Sequence, residues 1–489
     1  MAFDKKEITK KSENISDWYN DVVLKAQLAE YGPVKGTMII RPYGYAIWES
    51  VQRILDGMFK SYGVENAYFP LFIPMSFLKK EKEHVAGFSP ELAVVTIAGG
   101  EELKEPVVVR PTSETIMYET YAKWVQSWRD LPILINQWNN VVRWEKRTYL
   151  FLRTTEFLWQ EGHTAHATEA EAVAMQEKAL EWYTKTYEEY YAIPVLTGTK
   201  SQTEKFAGAK TTYAVEALMP DGKALQACTS HNLGQNFSKA FNIEFQNKEG
   251  KNDFVWQTSW GFSTRSLGGL FLTHGDDSGL VMSPKIAPVK VVIVPVLGKE
   301  DDKVLTLCKT LKEQIKSVSS DFSGSVEIWD NENKTFGWKL NEAELKGIPV
   351  VIVIGQKEVE KNEVTIATRL SRSSSDAKIA ARTMSVEHVG KAVEVMLEGL
   401  QQFLYETAKK FLDENTHTVD SYDEFKKIME TTRGFIKALW CEDAACEKSI
   451  KDETKASTRL LPFDAKDEEG VCIYCGKKAK HRWVFAQAY

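Results

Sequence analysis

The chain has 489 residues, enough for about two to four domains and for a large core that needs no disulfides. Its formal net charge of −6 excludes a histone-like protein that binds nucleic acid through bulk basic charge, although local basic patches stay possible. Hydrophobic residues make up 43% and charged residues 27%, which is typical of a globular protein and excludes a disordered one.

Neither a membrane span nor a secretory signal is expected. Apolar runs such as 348–354 have the length of a strand, and none reaches the roughly 18 residues of a membrane helix. Residues 1–14 mix Lys with Asp and Glu and contain no apolar stretch. We therefore expect a cytoplasmic protein with no membrane contact, and six cysteines are too few for a disulfide framework.

Three regions differ in their residue patterns. In residues 1–288 polar side chains interrupt apolar strands, which indicates an antiparallel sheet with one working face. Residues 289–384 alternate short apolar strands with helical stretches, which predicts a small α/β domain. In residues 385–489 the apolar positions first recur at helical spacing, and four cysteines follow.

The first predicted elements are a helix and a strand. An apolar stripe runs from Ile47 to Tyr62, and Gly63 ends the helix. Residues 64–72 then predict a strand with Pro70 near its end. Taken alone, this pair is best interpreted as an ordinary core helix and strand.

The segment 110–114 (Arg-Pro-Thr-Ser-Glu) follows a predicted strand at 107–109. Thr112 and Glu114 offer a hydroxyl and a carboxylate, and both can accept a hydrogen bond from an ammonium group. The alternative is a helix N-terminus with its capping residue and first-turn acid. The segment alone supports both interpretations equally.

Residues 140–166 carry the densest polar pattern. Alternation predicts Arg143 and Glu145 on one face of a strand. A returning strand from Glu156 would place Phe157, Trp159, Glu161 and His163 on a shared face. Charged residues on a buried sheet need partners or ligands, and the planar fork of Arg suits a carboxylate or a phosphate. The alternative is a ladder of salt bridges within the sheet.

Two later segments, 226–234 and 256–269, predict strands, the second followed by a turn at Gly261 and a helix that begins near Ser263 and Arg265. An Arg in the first helical turn opposes the helix dipole, so an anion such as a triphosphate would account for it. The chain contains no Gly-x-x-x-x-Gly-Lys-Ser/Thr loop. If it uses ATP, it does so on an antiparallel sheet with arginine clamps.

In this order, the segments resemble the class II aminoacyl-tRNA synthetases. Residues 63–70 resemble their motif 1, residues 143–145 their motif 2 and residues 261–265 their motif 3. The longer runs Arg-Pro-Thr-Ser-Glu, Phe-Leu-Trp-Gln-Glu-Gly-His-Thr-Ala-His and Thr-Ser-His-Asn-Leu-Gly resemble prolyl-tRNA synthetases of the archaeal/eukaryotic type. The resemblance covers nearly the whole chain.

The resemblance implies an α+β fold of three domains. A class II antiparallel-sheet catalytic domain would span 1–288, an α/β anticodon-binding domain 289–384, and a small mixed zinc-binding domain 385–489. It implies that L-proline is activated by ATP with Mg²⁺ to prolyl-adenylate and transferred to the 3′ end of tRNA(Pro) during translation. The partners implied are tRNA(Pro) and a second copy, bound through the motif 1 helix and strand.

The site residues follow from the same resemblance, with Arg143 and Arg265 as the catalytic pair. Proline would be bound by Thr112, Glu114, Arg143, Trp159, Glu161, His163, Phe206 and His231. ATP would be bound by Arg143, Glu145, Thr154, Phe157, Gln226, Thr229, Ser263 and Arg265. Phe88 and Glu91 would lie on a covering loop, and Glu344 and Arg369 would read the anticodon.

Near the end of the chain, two cysteine pairs are separated by 25 residues: Cys441 with Cys446, and Cys472 with Cys475. Four thiolates predict a closed structural zinc site, and four reduced cysteines without metal are the alternative. Removal of a structural metal is expected to spare adenylate formation. The resemblance also implies that Tyr489 packs toward the catalytic domain.

The span 166–225 is only 60 residues long and includes a predicted capping box at Thr168 and Glu171. Bacterial-type relatives carry an editing domain there, so none is expected here. The open alternatives are a threonyl-, histidyl- or glycyl-tRNA synthetase, a non-catalytic paralogue and a zinc-dependent nucleic-acid-binding module. The presence of both Arg143 and Arg265 disfavours the paralogue.

Overall fold

The computed structural model describes residues 7–78, 92–298, 301–322, 324–370 and 381–489. Phe88 and Glu91 lie outside the described residues. Within these ranges, no helix is both long and apolar enough to cross a membrane.

Up to residue 288, the α-helices and strands follow in this order: α1 (Ile15–Lys25), β1 (Ala29–Tyr31), β2 (Met38–Ile40), α2 (Pro42–Ser61), β3 (Glu65–Asn66), β4 (Phe72–Pro74), α3 (Met75–Leu78), β5 (Ala93–Ala98), β6 (Glu101–Val109), α4 (Glu114–Trp124), β7 (Ile133–Val142), β8 (Glu156–His166), α5 (Glu169–Lys185), β9 (Leu196–Thr199), β10 (Thr211–Leu218), β11 (Ala224–Gly234), α6 (Asn236–Phe241), β12 (Glu244–Gln246), β13 (Asn252–Phe254), β14 (Trp256–Ser263) and α7 (Arg265–His274).

The rest of the chain continues with β15 (Val291–Pro295), α8 (Asp301–Val318), β16 (Val326–Ile328), α9 (Phe336–Leu345), β17 (Val350–Ile354), α10 (Gln356–Lys361), β18 (Glu363–Thr368), β19 (Arg382–Ser385), α11 (Val389–Glu414), β20 (Thr416–Thr418), α12 (Tyr422–Glu430), β21 (Phe435–Trp440), α13 (Ala444–Thr454), β22 (Ser457–Pro462), β23 (Gly470–Val471), β24 (Lys478–Ala479) and β25 (His481–Ala486).

A sheet of eleven strands runs through the molecule in the order β20-β21-β25-β22-β9-β10-β11-β14-β8-β7-β3. From β9 to β7 every neighbouring pair is antiparallel, as predicted. The long pair β7 and β8 runs from Ile133 opposite Ala165 to Val142 opposite Glu156. The alternation along β8 therefore brings its odd-numbered residues to one face.

The helix predicted before Gly63 is α2, and its stripe is buried at Ile47, Val51, Leu55 and Phe59. Gly63 follows it with φ +96°, a conformation that favours glycine.

The strand predicted at 64–72 is wrong in extent. Only Glu65–Asn66 pairs with β7, and Phe72–Pro74 pairs with β6 instead. Between these strands, the side chain of Gln137 accepts the N–H of Phe69, so a side chain replaces the strand partner that the sequence pattern assumes.

The second region contains a five-stranded sheet in the order β16-β15-β17-β18-β19. Its first three strands are parallel and the last two run antiparallel to their neighbours. One face packs on α8 and the first half of α11 through residues such as Leu311, Ile315 and Val393. The other face packs on α9 through Ala343. Both faces are covered, as the apolar strands predicted.

The C-terminal region extends the antiparallel sheet of residues 1–288. Its strand β22 pairs with β9, with Leu461 opposite Thr199 and Pro462 opposite Gly198. A Cβ atom on Gly198 would lie 2.1 Å from the carbonyl oxygen of Leu461, so this close approach requires glycine. The two regions are thus joined through backbone hydrogen bonds as well as side chains.

The chain ends against residues 1–288, as predicted for Tyr489. Its backbone N–H donates to the carbonyl of Ala224 at 3.2 Å, and the ammonium of Lys223 lies 4.7 Å from its ring centre. The ring also packs on the main core of residues 1–288.

Candidate active site

A cavity of 330 Å³ opens on the central sheet. It is lined by every residue that the sequence assigned to proline or ATP: Thr112, Glu114, Arg143, Glu145, Thr154, Phe157, Trp159, Glu161, His163, Phe206, Gln226, Thr229, His231, Ser263 and Arg265. These residues come from segments spread over 112–265, so the fold brings them together on one face of β8, β11 and β14.

Arg143 lies just beyond the end of β7, not within a strand as predicted. Its Nε donates to the carbonyl of Pro111 at 3.0 Å. Its guanidinium carbon lies 5.5 Å from the ring centre of Phe157 and 5.3 Å from that of Trp159. The carbonyl and the two rings hold the guanidinium beside Trp159, which was assigned to proline, and Phe157, which was assigned to ATP.

Glu145 also lies beyond the strand, because the ladder between β7 and β8 stops at Val142 and Glu156. Its carboxylate pairs with Arg153 at 2.7 Å. The prediction that Arg143 and Glu145 alternate along one strand is therefore wrong, although both side chains reach the cavity.

The segment around Ser113 is not an ordinary helix cap. Ser113 precedes α4, but its side chain makes no capping hydrogen bond. Instead, its hydroxyl donates to Glu161, and its backbone N–H donates to the same carboxylate at 3.0 Å. The hydroxyl of Thr112 donates to Glu114. The segment thus supplies polar groups to a buried network rather than to its helix.

Glu161 and His163 form a buried pair, with Nε2 of His163 3.0 Å from the carboxylate. Burial acts to raise the pKa of Glu161, but hydrogen bonds from His163, Ser113 and Asn139 outweigh it and lower the pKa to about 2. Burial acts to lower the pKa of His163, but Glu161 and then Glu114 raise it. Each group therefore favours the charged form of the other, although both side chains are buried.

His231 has the opposite character. Its Nδ1 lies 2.9 Å from the hydroxyl of Thr212, and its Nε2 lies 3.0 Å from that of Thr229. Burial, followed by the positive charge of His163, lowers its pKa to about 3, so the ring is neutral at physiological pH. The ring of Phe206 stacks on it with centroids 4.5 Å apart.

At the other end of the cavity, α7 begins with Arg265, whose Nε donates to the carbonyl of Leu152 at 2.8 Å. Burial lowers the pKa of Arg265, and the nearby charges of Arg153 and Arg143 lower it further. A helix N-terminus and clustered guanidinium groups attract an anion.

Gly261 lies within β14 and not in the predicted turn. A Cβ atom there would be 3.2 Å from the ring of Trp159 on the neighbouring strand. The glycine therefore makes room for the Trp159 ring, which in turn lies against Arg143.

Comparisons with known proteins agree with this geometry. Residues 96–273 match the family model described as "tRNA synthetase class II core domain (G, H, P, S and T)", and residues 290–395 match "Anticodon binding domain". Residues 422–489 match "Prolyl-tRNA synthetase, C-terminal". A proline–tRNA ligase of Natranaerobius thermophilus is 50% identical over 487 residues, which are 99% of this chain and 98% of the relative. The chain belongs to the prolyl-tRNA synthetase family.

Two further relatives support the assignment of the chain to this family. A proline–tRNA ligase of Borreliella burgdorferi is 49% identical over 493 residues, 99% of each chain. A crystal structure of prolyl-tRNA synthetase from Cryptosporidium parvum, complexed with halofuginone and AMPPNP, is 40% identical. It matches with a TM-score of 0.92 over 99% of this chain and 97% of its own.

Several cavity-lining residues of the synthetase were missed at the sequence level, among them Lys200, Glu204 and Thr212. Lys200 is buried and donates to Glu216 at 3.1 Å, and Glu216 also accepts hydrogen bonds from Nε and Nη2 of Arg459. Arg459 is 243 residues from Glu216. No local pattern signals such a cluster, because its members meet only after the C-terminal region has docked.

The four cysteines come together as predicted. The Sγ of Cys441 lies 3.6 Å from those of Cys446 and Cys475, and all four sulfurs, with Cys472, lie within 4.8 Å of one another. In a tetrahedral site with Zn–S bonds of about 2.3 Å, sulfurs are about 3.8 Å apart. The arrangement therefore fits a zinc ion.

The predicted anticodon residues lie elsewhere, and Arg369 contradicts its prediction. It is fully buried, and its guanidinium makes two hydrogen bonds to the carboxylate of Asp276, at 3.0 and 2.6 Å. Its Nε donates to the carbonyls of Leu280 and Glu344, both at 2.9 Å. Arg369 thus joins the second region to the catalytic one and cannot contact RNA. The side chain of Glu344 is only partly buried.

Proposed function

We propose that this synthetase joins L-proline to tRNA(Pro) in two steps. The proline carboxylate attacks the α-phosphorus of ATP and releases pyrophosphate, and the 3′-terminal hydroxyl of the tRNA then takes the prolyl group from the adenylate. The observation that carries the proposal is the position of Arg143 in the cavity, over the rings of both Phe157 and Trp159. One guanidinium there can reach a carboxylate and a phosphate at once.

Proline is proposed to lie at the end of the cavity with the two acids. The secondary ammonium would face Glu114 and Thr112, and the ring would lie among Trp159, Phe206 and the Glu161–His163 pair. His231 stays neutral, so it adds no charge beside the ammonium. A small rigid ring gains apolar contact in such a slot, and larger rings are rejected by steric clash.

ATP is proposed to lie at the other end. Phe157 would stack on adenine, Glu145, Thr154, Gln226 and Thr229 would hold ATP, and Ser263 and Arg265 would meet the phosphates. The carboxylate of proline needs no base to act as a nucleophile. The catalytic work of Arg143 and Arg265 is therefore to align the two reactants and to neutralise charge that develops on the phosphate oxygens.

Mg²⁺ is proposed to arrive with ATP and to neutralise phosphate charge when bound. The cavity offers it a fitting ligand in Glu145, since Mg²⁺ in nucleotide sites is held by one or two carboxylates together with phosphates and water. In this chain, the position of that carboxylate is controlled by Arg153.

For tRNA recognition, we propose that the second region binds the anticodon loop, with Glu344 as one reader. A surface cleft next to it is lined by Trp329, Trp338 and Lys334, together with the acids Glu327, Asp330 and Glu342. Indole rings stack on unpaired bases and an exposed lysine pairs with a phosphate, so the two tryptophans and Lys334 are proposed to meet single-stranded RNA.

The C-terminal site is proposed to hold a structural Zn²⁺, because four thiolates leave no open coordination position. A homodimer is also proposed. Its support is the exposure of large apolar side chains after α2, where Tyr68 between β3 and β4 is 73% exposed and Phe72 on β4 is 51% exposed.

The finer assignment is to the archaeal/eukaryotic type, with domains at 1–288, 289–384 and 385–489 and no editing insertion. It is supported by the short span between β8 and β11, which is filled by α5, β9 and β10. The capping box of Thr168 and Glu171 begins α5, as predicted. Since relatives of this length occur in bacteria, the type describes the domain arrangement and not the source. A cytoplasmic location is proposed because tRNA charging serves translation there.

The test of the function is ATP–pyrophosphate exchange measured with each of the twenty amino acids. Exchange that depends on proline, with weak activity for alanine, is expected. Exchange supported best by threonine, histidine or glycine would transfer the chain to another member of the class, and exchange with no amino acid would indicate a non-catalytic role.

A further inference from the structure

The first turn of α13 contacts the catalytic region through Glu447. This side chain is buried, and its carboxylate accepts hydrogen bonds from the hydroxyls of Ser201, Thr203 and Thr458. The Oγ of Ser201 lies 3.3 and 3.4 Å from the two carboxylate oxygens. Ser201 and Thr203 belong to the catalytic region, 246 and 244 residues before Glu447. One carboxylate therefore joins the two regions.

Two of these three hydroxyls, those of Ser201 and Thr203, belong to a short turn, residues 201–206, which we name the 201–206 turn. Ser201 stabilises it internally, since its Oγ accepts the N–H of Glu204 at 3.2 Å and its carbonyl accepts that of Lys205 at 2.9 Å. At the far end, the N–H of Phe206 donates to the hydroxyl of Thr212 at 3.0 Å. The turn is thus fixed at both ends.

The far end of the turn is part of the cavity. Glu204, Phe206 and Thr212 line it, and the ring of Phe206 stacks on that of His231. Thr212 also lies 2.9 Å from Nδ1 of His231. Any shift of the 201–206 turn therefore moves the Phe206 ring, which forms one wall of the cavity, relative to the ring of His231, which is itself held in place.

We propose that Glu447 is a positioning residue for the proline pocket, acting through the 201–206 turn on the ring of Phe206. The proposal rests on the proposed role of Phe206 as a wall of that pocket. A carboxylate suits the task, because two acceptor oxygens can satisfy three hydroxyls at once. Lys451, one turn later on α13, adds an ion pair to Glu204 at 3.2 Å, but this pair is solvent-exposed and contributes little.

The effect is expected to be specific for proline. Contact between a ring and an aromatic wall falls off within an ångström, so a displaced Phe206 weakens proline binding. The proposed ATP ligands lie on β8, β11, β14 and α7 or in the connection between β7 and β8, and none of them belongs to the 201–206 turn. Loss of Glu447 should therefore raise the KM for proline and leave the KM for ATP nearly unchanged.

The experiment is ATP–pyrophosphate exchange with the full-length Glu447→Ala variant. The KM for proline is expected to rise about tenfold, while kcat and the KM for ATP change less than about threefold. Glu447→Gln keeps one acceptor oxygen and should recover most of the loss. Thr203→Val removes one partner hydroxyl with little change of shape. It should act in the same direction, and the double variant should lose less than the product of the two single effects.

The matched control is Glu453→Ala, on the same helix, because among the described residues Glu453 accepts from Tyr422 and Tyr474, both in the C-terminal region. An unchanged KM for proline in Glu447→Ala, or a parallel rise in both KM values, would overturn the proposal. If Glu447→Ala does not fold, Thr203→Val decides in the same way. Phe206→Ala separates the proposed role of Phe206 from that of Glu447. If this variant leaves the KM for proline unchanged, the assignment of Phe206 to the proline pocket fails, whatever the Glu447 variants show.

Discussion

Replacing Asp276 by Asn is expected to destabilise the synthetase by about 3 kcal/mol. Asn has nearly the same shape as Asp, so the change removes only the charge that faces Arg369. That guanidinium is fully buried, and after the change its positive charge has lost the carboxylate that makes two hydrogen bonds to it. Breaking one half of a buried ion pair usually costs about 3–5 kcal/mol, and the lower value applies because Asp276 is itself 32% exposed.

The measurement is urea unfolding followed by tryptophan fluorescence, with the transition midpoints compared at an unchanged slope. The control is Asp413→Asn, which breaks an exposed pair with Lys409 and should cost less than about 1 kcal/mol. The double variant Asp276→Asn/Arg369→Met removes both charges and should be more stable than Asp276→Asn alone. If Asp276→Asn is as stable as Asp413→Asn, the buried pair does not join the two regions as described.

Two further predictions concern the pocket and the cysteines. His163→Gln should cost more stability at pH 6 than at pH 9.5, because a raised histidine pKa contributes fully below its ordinary value of 6.5 and less as the pH rises through the folded value. Equal losses in urea midpoint at both pH values would contradict the charged pair with Glu161. Cys472→Ser/Cys475→Ser should reduce the metal content and lower the melting temperature by several degrees, about 2–4 °C per kcal/mol. This double variant should also raise the KM for proline, because α13 carries both Cys446 and Glu447. That result would differ from the expectation from sequence that removal of a structural metal spares adenylate formation. An unchanged melting temperature together with full metal loss would contradict the structural role.

The sequence predicted the parts of the site that depend on local periodicity. Alternation along β8 was enough to place Phe157, Trp159, Glu161 and His163 on one face, because side chains of a strand alternate whatever it packs against. The capping box at Thr168 was also predictable from local sequence, because its partner is only three residues away. The resemblance to known synthetases then assigned roles to residues that the cavity brings together.

The errors and omissions involve contacts between distant segments. Arg369 pairs with Asp276, 93 residues away, and the sequence near Arg369 gave no sign that its side chain would be buried. The strand expected at 64–72 is short because the side chain of Gln137, 68 residues after Phe69, accepts the backbone N–H there. Glu447 meets Ser201 only because β22 docks on β9. Such contacts follow from the assembled fold, and no window of sequence contains both partners.

The central claim is that Arg143 holds the proline carboxylate and the α-phosphate together. Its most direct test is the rate of proline-dependent ATP–pyrophosphate exchange in Arg143→Ala, measured on protein whose melting temperature matches the wild type. Loss of roughly 4 kcal/mol of transition-state stabilisation predicts a rate about a thousandfold lower. Arg129→Ala, an exposed arginine beside Trp128, should keep the wild-type rate. Exchange by Arg143→Ala within tenfold of the wild type would contradict the account.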